Sequence, residues 1–79
     1  MNRGQVYAVI NGERAHQEEI WGPIQTENRE LLDYINYIRN YANQARYALP
    51  YDELKAKANL RKVAALAVAA MEKFGAPER

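Results

Sequence analysis

The run LKAKANLRKVAALAVAAMEKF, residues 54 to 74, leaves this chain little choice of architecture. Leu60, Ala64, Ala67, Met71 and Phe74 follow one another at steps of 4, 3, 4 and 3, which keeps them on one stripe of an α-helix. Val63, Leu66 and Ala70 widen the stripe, and Val68 lies on the opposite flank. Between residues 63 and 71 the helix is apolar almost all round, so it needs cover on more than one side. Five of those nine residues are alanine, which favours helix at little entropic cost and lets a partner backbone come close. The pattern predicts a packing spine without chemistry of its own: no Asp, Glu, His or Cys stands between Glu53 and Glu72.

What can cover such a spine is bounded by size. A chain of 79 residues is one domain, near the length at which a single core supplies only about 3 to 5 kcal/mol. There is no Cys for a disulfide or thiolate site, and a single His cannot form a histidine cluster. No cofactor is expected. Oligomerisation is the remaining stabilising device, because a two-helix hairpin covers only one side of the spine. The expected partner is therefore the chain itself, as a dimer or higher oligomer.

The rest of the chain reads as helix. In MNRGQVYAVINGERAHQEEIWG a lone strand at residues 6 to 10 would have no sheet to join. As a helix, Val6, Val9, Ile10, Glu13, Gln17, Ile20 and Trp21 share a face. Helix one is expected over residues 4 to 20, with Gly12 a candidate kink. Gly22-Pro23 stops it. A cap at Thr26 or Asn28 then opens helix two, expected over residues 27 to 48 from the spacing of Leu31, Tyr34 or Ile35, Ile38, Tyr41 or Ala42, Ala45 and Leu49. Pro50 ends it, Asp52 caps helix three over residues 52 to 74, and Gly75 with Pro77 ends that. The connection is so short that the two long helices run antiparallel. The expected fold is all-α, a short N-terminal helix packed on a long antiparallel hairpin.

Charge narrows the function classes. The net charge of +1 argues against a strongly basic nucleic-acid binder, although its placement is uneven. Residues 1–33 carry six acids and three bases, whereas residues 34–71 carry six bases and two acids. That polarity suits antiparallel association or an anionic ligand. No apolar run approaches the ~20 residues that span a bilayer. No signal peptide is apparent, so a cytoplasmic protein with no membrane partner is expected.

Three groups of side chains are candidate sites. Glu13, Gln17 and Trp21 lie one turn apart and would present a carboxylate, an amide and an indole together, a set suited to a base edge and a stacking surface. The competing reading makes Trp21 an anchor of helix one on the hairpin. His16 lies between Glu13 and Glu19 but lacks further metal ligands. Tyr34, Tyr37 and Tyr41 climb helix two among Asn36, Asn40, Asn43, Arg39 and Arg46, which fits either an oligomer interface or a nucleotide pocket. The basic side chains Arg46, Lys55, Lys57, Arg61 and Lys62 form a face near the hairpin tip that reads as solvated. No nucleophilic triad, phosphate-cradling loop or zinc spacing occurs.

The segments INGERAHQEEIWG, residues 10–22, and LRKVAALAVAAMEKFGAPER, residues 60–79, flanking a helical hairpin, resemble small phage and prophage proteins of the MazG-like group. That group belongs to the all-α nucleoside triphosphate pyrophosphohydrolases. The resemblance implies a helical fold that associates through its long helices and binds nucleotides at a carboxylate-bound magnesium. Active members place glutamates at one-turn spacing on the first hairpin helix and a Glu/Asp pair on the second. Here Tyr37, Ile38 and Tyr41 stand where ligands are expected on the first, and alanine, leucine and valine on the second. Neither tyrosine nor isoleucine replaces a carboxylate on magnesium. The double-sided apolar helix and these missing carboxylates together lead to the expectation of a non-catalytic phage or prophage accessory protein acting through homo-oligomeric binding, with a nucleotide as candidate ligand. Its ligand-binding residues are expected to be Glu13, Gln17, Glu18, Trp21, Tyr37 and Arg39, with no catalytic or metal-binding residue. A residual magnesium-dependent pyrophosphohydrolase relying on Glu13 and Glu18 and a small nucleic-acid binder are the alternatives.

Overall fold

The N-terminal segment folds as helix because it is capped at once. Asn2 Oδ1 accepts from the Gln5 backbone N–H at 2.8 Å, and Gln5 Oε1 accepts from the Asn2 N–H at 2.9 Å, a reciprocal box that satisfies two otherwise orphaned donors. From there α1 (Arg3–Trp21) runs without a break through Gly12 in a computed structural model that describes residues 1–79. Gly22, at φ 83° and ψ −179°, ends the helix in a conformation open essentially only to glycine. A single 3₁₀ turn, Ile24–Thr26, follows and buries Ile24.

Helix α2 (Leu31–Ala48) starts later than the sequence pattern predicts. Neither Thr26 nor Asn28 caps it. Residues 27–30 are held outside the helix by the Glu27 carboxylate, which accepts from the Arg29 N–H, and by Lys73 Nζ, which donates to the Glu27 and Arg29 carbonyls. The cap is Glu30, whose backbone N–H donates to Asp33 Oδ2 at 2.8 Å. Helix α3 (Glu53–Phe74) opens where expected, with Asp52 Oδ1 accepting from the Lys55 N–H at 3.0 Å. Gly75 closes it at φ 83°.

The architecture is all-α: α2 and α3 form an antiparallel pair, and α1 packs against it, mainly on α3. Tyr34 and Leu66 are the largest fully buried side chains, joined by Ile24, Ala69 and Ala70. Trp21, Ile38 and Tyr41 close over that cluster. The spine of α3 is oriented differently from the stripe that the sequence pattern singles out. Its buried residues are Ala56, Asn59, Ala65, Leu66, Ala69 and Ala70, while Leu60, Met71 and Phe74 remain exposed. Aromatic and branched neighbours on α2 and α1 cover the Leu66 side of the helix, whereas the Leu60 side is only flanked, by Val6, Val9 and Ile10 on one edge and Ala42 and Leu49 on the other. No helix is long and apolar enough to cross a membrane.

Candidate ligand site at the junction of the three helices

Two ion pairs seat α1 on α3. Arg61 Nε donates to Glu13 Oε1 at 2.6 Å, and the buried Arg14 bonds Glu72 while also reaching Glu18 at 3.2 Å. Between those ties the residues one turn beyond Glu13 point at the hairpin. Glu13, His16, Gln17, Ile20 and Trp21 of α1 meet Tyr41 of α2 and Lys62 of α3 around a cavity of about 140 Å³. Gln17 is only 4% exposed, and its Oε1 is buried without a hydrogen-bond partner. Lys62 Nζ sits 5.3 Å from the centroid of the Tyr41 ring, within cation–π range.

Trp21 also walls a second, shallower cleft of about 420 Å³ with Glu27, Asn28, Arg29 and Asp33. The Arg29 guanidinium lies 4.3 Å from the indole centroid and 5.4 Å from that of Tyr37, whose hydroxyl accepts from Arg29 Nε at 3.4 Å. One face of the indole is thus already taken by a cation, and any stacked ring must use the other.

Below the cleft lies a buried ionic knot. The Glu27 side chain is 7% exposed, accepts from the Tyr34 hydroxyl, and has Arg29 Nη1 at 3.1 Å and Lys73 Nζ at 3.7 Å. Arg29 Nη1 is close enough to pair with the carboxylate but is not aligned to hydrogen-bond it. Burial by itself would raise the Glu27 carboxyl. The Tyr34 hydroxyl, the Arg29 backbone N–H and the two cations outweigh burial and hold the carboxyl below the ordinary glutamate value. Burial, followed by the hydrogen bond to Glu27 and its charge, pushes the Tyr34 hydroxyl up to about 12.

The expected ligand residues are therefore divided. Glu13, Gln17 and Trp21 share the smaller cavity. Glu18 is drawn away to Arg14, Tyr37 lies against Arg29, and Arg39 is exposed on α2 and lines neither cavity. The three tyrosines of helix two also part: Tyr34 enters the core, Tyr37 stays 36% exposed, and Tyr41 reaches the cavity. Sequence reasoning placed Ile20 on the Gln17 face but did not join Tyr41 to that group, and it assigned Lys62 to a solvated basic face. Helical spacing gives each residue a face, but which faces meet is a tertiary matter. Arg29 gave no signal, because it lies in a loop.

The side chains do not fit the carboxylate-bound magnesium that the MazG-like resemblance implies. Glu13, Glu18, Glu27 and Glu72 are each committed to a cation of the chain, and nowhere do three His, Asp or Glu side chains converge to hold a metal. Comparison with protein-family models, with curated proteins and with solved structures finds no significant match to this chain.

Proposed function

We propose that this protein is a non-catalytic phage or prophage accessory protein that acts in the cytoplasm of a bacterial or infected host cell through homo-oligomeric binding, with a nucleotide as its ligand. The observation that carries the nucleotide part is the Gln17 Oε1, an acceptor buried without a partner beside an indole and an ammonium group. An unmet buried acceptor costs stability, and a turn of the Gln17 amide that brought this oxygen to the cavity would let it accept from the N–H of a base. The cavity of about 140 Å³ is smaller than the ~300–1,000 Å³ of typical ligand pockets. It would admit the ring of a base and leave ribose and phosphates outside, near Lys62. The part of the Trp21 indole that lines the cavity would contact that ring. The resemblance of residues 10–22 and 60–79 to MazG-like proteins supports the choice of nucleotides over other planar ligands.

Titration calorimetry against nucleoside mono-, di- and triphosphates, with and without magnesium, tests this reading. Heat for at least one nucleotide, lost in Trp21→Ala, is the expected result; no heat across the panel would remove the nucleotide. Magnesium-dependent pyrophosphate release abolished by Glu13→Gln or Glu18→Gln would overturn the non-catalytic part.

A further inference from the structure

Helix α3 has three sides, and the chain covers two of them. Ala56, Asn59, Leu66 and Ala70 lie on the side toward α2, where Tyr34 packs on Leu66 and Ala70. Arg61, Ala65 and Glu72 lie on the side toward α1, where Glu13 and Arg14 bind the two charged ends. The third side carries Leu60, Ala64, Ala67 and Met71. Leu60 is 57% exposed and Met71 47% exposed, with the two half-buried alanines as a floor between them. Leu60 stands between two apolar grooves, one of about 290 Å³ along Val6, Val9 and Ile10 of α1, the other of about 360 Å³ along Ala42 and Leu49 of α2.

We propose that this third side of α3 seats the same side of a second copy of the chain, with the two α3 helices antiparallel about a two-fold axis between Ala64 and Ala67. The proposal rests on the homo-oligomeric reading above and names its face. The stripe is self-complementary, as an isologous interface requires. About that midpoint Leu60 of one copy falls opposite Met71 of the other and Ala64 opposite Ala67, and the alanines let the backbones approach.

Charge selects the antiparallel direction. Before Ala64 the helix carries Lys55, Lys57, Arg61 and Lys62 against Glu53 alone, and after it only Glu72 and Lys73. Antiparallel pairing sets each basic half against a neutral one, whereas parallel pairing would set the two basic halves together. The area also fits a second copy. Leu60, Met71, Val6, Val9 and Leu49 expose on the order of 500 Å² of surface, near the upper end for the largest apolar patch of a monomer and more than half of the ~800 Å² that one partner of a stable pair buries.

Light scattering on the full chain at micromolar concentration should give twice the single-chain mass of 9.1 kDa. Leu60→Glu and Met71→Glu should each return the single-chain mass with helical circular dichroism unchanged, because neither side chain is buried within the chain. Leu54→Glu, exposed but off the stripe, should leave the pair intact. The chain has no cysteine, so oxidation of mixed Leu60→Cys and Met71→Cys proteins should cross-link them to each other in preference to themselves. A single-chain mass for the unaltered protein, a pair indifferent to both glutamates, or cross-linking of Leu60→Cys chiefly to itself would overturn the proposal. Nucleotide heat retained by Leu60→Glu would show that the ligand site stands apart from the pairing face, so the two readings fail separately.

Discussion

At the scale of single residues, the chain spends stability on polar atoms that its core does not need. Gln17 keeps a buried oxygen without a donor, a defect worth about 1–3 kcal/mol. Gln17→Leu removes the defect at similar volume. It should raise the free energy of unfolding by about 1 kcal/mol in urea titration while eliminating nucleotide heat; a loss of stability would show that the amide is structural. The Glu27 knot behaves in the opposite way, since its partners are in place. Because the folded carboxyl is held low, its contribution is present above the ordinary glutamate value and is lost as pH falls through the lowered one. Because the Tyr34 hydroxyl is raised from 10.0 to about 12, its contribution is full below pH 10 and is lost as pH rises toward 12. Tyr34→Phe should cost about 1.5–3 kcal/mol, the range for a hydrogen bond to a charged group, and should flatten the alkaline limb of the stability–pH curve. An alkaline limb unchanged in Tyr34→Phe would assign it to another group.

At the scale of the elements, two glycines of the first helix region have opposite standing. Gly12 lies inside α1, and an added Cβ would meet nothing within 4 Å. Gly12→Ala should therefore stabilise by about 0.5–1 kcal/mol through helix propensity. Gly22 also has open space around it, but its positive φ is the constraint. Gly22→Ala should cost about 1–3 kcal/mol. Thermal unfolding of both variants would show the midpoint moving in opposite directions; a shift of the same sign in both would refute the conformational argument. The helices themselves were legible in residue spacing, as was the Asp52 cap. The start of α2 was not. The Glu27 carboxylate accepting from the Arg29 N–H and Asp33 accepting from the Glu30 N–H are local bonds that the helical spacing hides, and Lys73, far away along the chain, adds the long-range tie.

At the scale of the whole molecule, only 11 of 79 residues are buried, which agrees with the small core expected of such a length. Large apolar side chains stay exposed on all three helices, and two of them, Leu60 and Met71, sit on the one side of α3 that neither α1 nor α2 covers. If pairing covers that side, thermal stability should rise with protein concentration, because mass action adds the association free energy to folding. A midpoint that does not move over a hundredfold dilution would be the signature of a chain stable alone.

The sequence by itself determined that the fold is helical, where the helices end, and that the last helix is too apolar to be served by one neighbour. Helical periodicity and capping are local properties, and they can be read from residues a few positions apart. Tertiary structure decided which third of α3 is left open, that Glu13 and Glu18 are claimed by arginines, and that Tyr41 and Lys62 join Gln17 and Trp21 around one cavity. Those outcomes depend on the rotation of each helix about its axis and on the pairing of charges distant in sequence. Spacing along a single helix fixes a face, and only packing chooses what that face meets.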